Sequence, residues 1–288
     1  MQPHRALMAA CAAVLVLGPR PESAPPVPVR VSTVAYADGI VLDHHIPVAA
    51  LDGAPVVVLI HGCCGDRRDM AGLARALTRR GAVVMNADVR NVQSGGGWPL
   101  SYEDVVCAVS AGRAAADALP GVRHPVALVG WSDGALLAAA VTLGWDELAD
   151  GVSSCAAPVS SAGPDVLVGM GGYYGWEGPG PPADIVTAAT IRWFGAPPSV
   201  DPRAWQRGNP RWWLSSGAIA DVPPVHLIAG AVDGESPAFW RDLVSAGVPS
   251  TIVTVDGTPL ELIQPRDEVG ARALGALCEV LGLPGAPL

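Results

Sequence analysis

Short runs of apolar residues, separated by stretches of helical spacing, constrain this chain more than any other feature. Residues 55–60 (PVVVLI) and 82–87 are almost free of polar alternation. A strand needs that pattern only when both of its faces are covered, as in a parallel sheet flanked by helices. Residues 125–129, 166–170, 225–229 and 250–255 read as further strands, and 31–36 and 40–48 as two opening strands joined by an Ala-Asp-Gly turn. Between them, 66–80 carries Met70, Leu73 and Leu77 at helical spacing and ends at Gly81. Residues 101–119 open with Ser101, place Glu103 and Asp104 in the first turn and stop at Pro120. Residues 133–143, 237–246 and 266–281 complete the helical set. The expected class is α/β, with a mostly parallel central sheet flanked by helices.

The remaining segments set the domain plan. Residues 1–24 read as an export signal: His4 and Arg5 precede an apolar run at 7–17, too short to cross a bilayer as a helix. Residues 25–30 form a Pro-rich linker, and 31–288 one domain. Residues 145–164 read as a loop or insertion. Residues 173–220, rich in Gly, Pro and Trp, read as an irregular cap over the C-terminal edge of the sheet. The expected location is extracellular, with no stable membrane span once the signal is removed. In that oxidising setting, one or two disulfides are expected among Cys63, Cys64, Cys107, Cys155 and Cys278, with the pairing open. All 18 basic residues are Arg, they are scattered, and the net charge is −9, which argues against nucleic-acid binding. No Cys/His spacing suggests a metal, and no motif calls for a cofactor.

Chemistry concentrates at two strand ends. The apolar run at 126–129 leads into Gly130-Trp131-Ser132-Asp133-Gly134 and then an Ala/Leu helix. A nucleophilic serine needs exposure at such a strand-to-helix turn, where the helix N-terminus favours negative charge. The turn is tight enough to require small residues, hence Gly130 and Gly134. The second strand end is Val57-Val58-Leu59-Ile60-His61-Gly62-Cys63-Cys64-Gly65. There the backbone N–H groups of Cys63 and Cys64, with that of Asp133, are candidates for an oxyanion hole. His61 and Gly62 then serve the turn, and His61 is not the base.

These motifs, with Asp88-Val89-Arg90 and Gly230-Ala231-Val232-Asp233, resemble the α/β-hydrolase family, in particular its carboxylesterase- and lipase-like branch. The resemblance spans roughly residues 31–281. It implies a Ser–acid–His order in which Ser132 is the nucleophile and Asp233 the acid, with Glu235 a nearby rival. The pattern then breaks: Leu260 stands where the family places its His, and no His follows Asp233. His226, His124, His44 and His45 all fall away from the expected site.

Trp98, Trp131, Tyr173 and Trp176 are candidate pocket residues, although the aromatic residues of 173–220 serve equally well as packing. Three functions follow. The first is a serine hydrolase acting on carboxylic esters or related acyl substrates through Ser132. The second is a disarmed pseudoenzyme that binds an acyl, ester or apolar ligand. The third is a non-hydrolytic enzyme using the same pocket.

Overall fold

The computed structural model describes residues 28–48, 52–175, 188–217 and 221–284. Residues 1–24, read as an export signal, and Trp176 lie outside these residues. Eight strands form one sheet: β1 (Val29–Ala37), β2 (Ile40–Pro47), β3 (Val56–Ile60), β4 (Val83–Ala87), β5 (Val126–Trp131), β6 (Val166–Met170), β7 (Val225–Gly230) and β8 (Ser250–Val255). Their order is β1-β2-β4-β3-β5-β6-β7-β8. β1 with β2 and β2 with β4 are antiparallel, and every other neighbouring pair is parallel. The helices are α1 (Ala71–Thr78), α2 (Leu100–Ala118), α3 (Asp133–Leu143), α4 (Trp145–Leu148), α5 (Ala188–Phe194), α6 (Pro202–Arg207), α7 (Pro210–Ser216), α8 (Glu235–Ser245), α9 (Pro259–Leu262) and α10 (Glu268–Val280).

The two-faced burial read from the sequence is visible in β3. Side chains of a strand alternate between faces. Val56, Val58 and Ile60 join Val105 and Val109 of α2 and Leu136 of α3 in one core cluster. Val57 and Leu59 join Leu73 and Leu77 of α1 and Leu274 and Leu277 of α10 in the other. All five β3 residues are buried. Helix α3 is apolar around its circumference, and Gly134 through Leu143 are buried, so it occupies the centre of its layer.

Several details differ from the sequence reading. β1 begins at Val29, inside the stretch read as linker. The stretch read as one helix over 66–80 starts as a 3₁₀ turn (Arg67–Met70) capped by the Asp66 carboxylate, and α1 follows. The described part of the irregular cap contains three short helices. Two of these begin with a capping side chain followed by proline: Asp201 accepts from Ala204 N–H at 3.1 Å and Asn209 from Arg211 N–H at 3.0 Å. The inserted segment after α3 includes α4, and its Cys155 is joined to Cys107 of α2 by a disulfide. Cys63, Cys64 and Cys278 are free thiols. Among the described residues no helix is long and apolar enough to cross a membrane.

Candidate functional site

The C-terminal ends of the central parallel strands bring the two chemical motifs together. β5 ends at Trp131, α3 starts at Asp133, and Ser132 makes the turn alone, with φ 55° and ψ −125°. Three glycines permit it. A Cβ on Gly130 would lie 2.3 Å from the Gly134 carbonyl oxygen, and one on Gly134 would lie 2.3 Å from the His61 carbonyl oxygen. A Cβ on Gly62 would come within 3.0 Å of Ser132 Cβ. The 61–65 turn is thus packed directly against the serine. Ser132 N–H donates to Met170 O at 3.1 Å, which ties the elbow to β6.

Two backbone donors flank this position. Among the described residues, Cys63 N–H donates to no protein group. Asp133 is the first residue of α3, so its N–H has no intrahelical acceptor. Unpaired amides beside a nucleophile, one of them on a helix N-terminus, can receive a developing oxyanion. Cys64, at φ 60°, completes the turn, and its side chain is exposed. The Cys63 thiol is pushed well above the usual range by burial, then by its hydrogen bond to the Asp133 carboxylate and by the neighbouring Cys64 thiol.

A cavity of about 620 Å³ opens on this side of the elbow. Cys63, Cys64 and Asp133 form one wall, and Val92, Leu136 and Trp193 give the site its apolar surface. That volume suits a small organic ligand. Arg192 of α5 also lines the cavity. Neither Arg192 nor Gln93 was visible as a site residue in the sequence, because each reaches the cavity through a loop or cap packed over the sheet.

Asp233 and the last loop lie at the same sheet end. Ala231 N–H donates to Gly257 O at 3.1 Å, so the turns after β7 and β8 are in contact. Asp233 caps α8: its Oδ1 accepts from Glu235 N–H (3.0 Å) and Ser236 N–H (2.9 Å), and its Oδ2 from the Ser236 hydroxyl (2.6 Å). Glu235 pairs with Arg211 at 3.4 Å. The 258–261 turn abuts the elbow through Trp131, whose indole N–H donates to Pro259 O at 2.7 Å. Pro259 also packs where a Cβ on Gly171 would stand, at 2.8 Å. Leu260 follows immediately, with 57% of its surface exposed.

The imidazoles are engaged elsewhere. Val89 N–H donates to His61 Nε2 at 3.0 Å, so the proton sits on Nδ1, which donates to Gly62 O at 2.7 Å. His61 thereby pins the 61–65 turn to the end of β4. His124 faces the carbonyls of Ala54 and Pro120, and His226 Nδ1 lies 2.8 Å from Thr251 Oγ1. His44 and His45 are on β2, with β4 and β3 between them and β5. His4 is outside the described residues.

Of the aromatic candidates, Trp131 contacts the last loop as described. Trp98 packs edge-on to Tyr102 at 5.0 Å, with Arg207 over its ring at 5.8 Å, on the inner side of the cap. Tyr173 is half-buried; burial, then the Glu235 carboxylate, push its phenol pKa above the usual tyrosine range. Trp193, one of the cap aromatics for which packing and pocket were equal readings, lines the cavity. A carboxylate that the sequence reading did not single out for the site, Asp104, is fully buried beneath this region. It accepts from Arg90 N–H at 2.8 Å and pairs with the Arg90 guanidinium at 2.5 Å, fixing the loop after β4. Among the described residues no group of three or more His, Cys, Asp or Glu side chains is arranged to hold a metal ion.

No known family profile matches the sequence, and no curated protein matches it significantly. Solved structures do. A thermostable esterase from Pseudomonas putida is 21% identical, over 89% of this chain and 82% of that one, with a TM-score of 0.62. Esterase B from Lactobacillus rhamnosis is 18% identical over 91% and 87%, with a TM-score of 0.72. Carboxyl esterase 2 from the fungus Tuber melanosporum is 16% identical over 92% and 88%, with a TM-score of 0.64. With its strand order, its parallel core and a strand-to-helix turn at Ser132, this chain has the α/β-hydrolase fold.

Proposed function

We propose that this chain is an ester-hydrolase-like protein that presents Ser132 to the carbonyl of a small carboxylic ester or related acyl substrate. The observation that carries the reading is the Ser132 turn itself. A non-glycine residue at φ 55° is held at the N-terminus of a buried helix, which supplies the Asp133 amide, and is packed against the turn that carries the Cys63 amide. In this reading those amides receive the oxyanion, and the 620 Å³ cavity holds the apolar part of the substrate. The solved esterases sharing the fold support it. Export remains part of the proposal, and the Cys107–Cys155 disulfide is in keeping with it.

A second reading rests on its own observation. Every described imidazole is bonded or placed away from Ser132, and Leu260 occupies the turn beside Trp131. Serine is a weak nucleophile without a base. In serine proteases that lack a triad member, the oxyanion hole and binding alone leave about 10³–10⁴-fold catalysis over water. The disarmed form of the protein would bind acyl ligands with little turnover.

Hydrolysis of p-nitrophenyl acetate by the natural protein, Ser132→Ala and Leu260→His separates the readings. We expect slow, Ser132-dependent release by the natural protein and a gain of at least tenfold in Leu260→His. A natural protein with no measurable turnover, gaining Ser132-dependent activity only in Leu260→His, favours the binding role. Turnover that survives Ser132→Ala overturns Ser132 as the nucleophile and points to non-hydrolytic or otherwise unrelated chemistry.

A further inference from the structure

Cys63 and Cys64 are adjacent in sequence, both have exposed surface, and both line the cavity beside Ser132. Cys63, Cys64 and Asp133 share one wall of that cavity. Gln93 Nε2 donates to Cys64 Sγ at 3.7 Å, which fixes the second sulfur at the cavity edge. No other described thiol competes for them. Cys107 and Cys155 are already joined, and Cys278 is buried in the opposite core layer. A fold that needs only backbone donors from this turn has no evident use for two thiols there.

We propose that Cys63 and Cys64 form a redox modification site that reacts with low-molecular-weight disulfides and closes to a vicinal disulfide on the cavity wall. Cys64, whose sulfur faces Gln93 at the cavity edge, attacks the small disulfide as a thiolate. One small thiol leaves and Cys64 carries the mixed disulfide. Cys63 then attacks the Cys64 sulfur, and the proton it gives up leaves with the second small thiol. The two protein thiols are oxidised by two electrons, and the small disulfide is reduced to two thiols. Adjacent Cα atoms are about 3.8 Å apart, below the usual disulfide span of about 4.4–6.8 Å. Such a ring is strained, and strained disulfides are the readily reduced ones. Closure joins the two sulfurs and reshapes the cavity wall beside Asp133. This proposal does not depend on Ser132 being a nucleophile.

The test is peptide mass mapping of the folded protein after incubation with oxidised glutathione. Cleavage after arginine releases residues 31–67, a peptide whose only cysteines are Cys63 and Cys64. The expected result is a loss of two hydrogens from that peptide, restored by dithiothreitol. Cys63→Ser should instead retain one glutathione on Cys64. The proposal is overturned if both thiols of the natural protein stay open to alkylation, if a glutathione adduct persists on it, or if the bond forms to Cys278 or between molecules. The natural protein alone decides these outcomes, so misfolding of the variant does not obscure them. Loss of ester turnover, or its absence throughout, bears on the Ser132 reading and leaves the mass result intact.

Discussion

Ser132 holds φ 55° and ψ −125°, a conformation that side-chain-bearing residues rarely adopt. Its neighbours impose it: Gly62 presses on its Cβ, and its N–H is fixed to Met170 O. Strain of this kind costs about 1–3 kcal/mol and persists only when the surroundings over-determine it. Ser132→Gly removes the Cβ while leaving the turn intact. We expect it to raise the urea unfolding free energy by about 1 kcal/mol, offset in part by the greater freedom of glycine in the unfolded chain. A variant that is less stable than the natural protein would show that the turn carries no strain. The serine was legible in the sequence because its turn demands glycines at fixed offsets. The placement of the imidazoles was only partly legible: the absence of a His after Asp233 could be read directly, whereas the Val89–His61 bond joins two strand ends and needs the folded sheet.

At the scale of elements, Asp233 illustrates how a residue in the right place can already be occupied. The sequence placed it after the seventh strand, and the structure gives its carboxylate three hydrogen bonds at the start of α8. That is helix capping, a role sufficient to account for an aspartate here without any triad. Asp233→Ala should destabilise the protein by about 1 kcal/mol, measured by thermal or urea unfolding. If any esterase activity falls in step with stability and no further, Asp233 acts as a cap. A kcat loss far beyond the folded fraction would give it a part in the chemistry. Strands such as β3 were readable because burial on both faces leaves only apolar residues. The short helices α6 and α7 were not, although Asp201-Pro202 and Asn209-Pro210 are helix-start signals, because Trp- and Gly-rich surroundings hid them. The pairing of the expected disulfide was unreadable for another reason: Cys107 and Cys155 are 48 residues apart and meet only when α2 lies against the segment that bridges to Ala37.

For the whole molecule, that disulfide and the acid–base groups set the conditions under which the fold survives. Closing a loop of this length removes unfolded-state entropy worth up to about 4 kcal/mol. Reduction should therefore lower Tm markedly while leaving the parallel core intact, which circular dichroism with and without dithiothreitol can follow. Acid acts first through buried and half-buried histidines. Burial pushes His44 and His45 below the usual histidine range. At His45, Asp43 opposes that shift, and Arg75 and His44 reinforce it. His226 is lowered by burial as well. A depressed folded pKa means that the unfolded chain binds protons first. Each of these groups then contributes stability above its unfolded pKa of about 6.5, and loses it as pH falls through that value toward the folded one. The carboxylates Asp43 and Asp165 are also held low, by Thr33 and Arg67 in one case and by Arg113 in the other, with burial opposing the shift in both. Their contribution is lost only at more acidic pH. The two classes separate on the pH axis, so Tm should decline in two stages. The first, below about pH 6.5, belongs to the histidines and the second to the carboxylates. His45→Gln, which cannot take a proton, should flatten the first stage and leave the second in place. An unchanged first stage in that variant would mean that His45 titrates alike in the folded and unfolded chains.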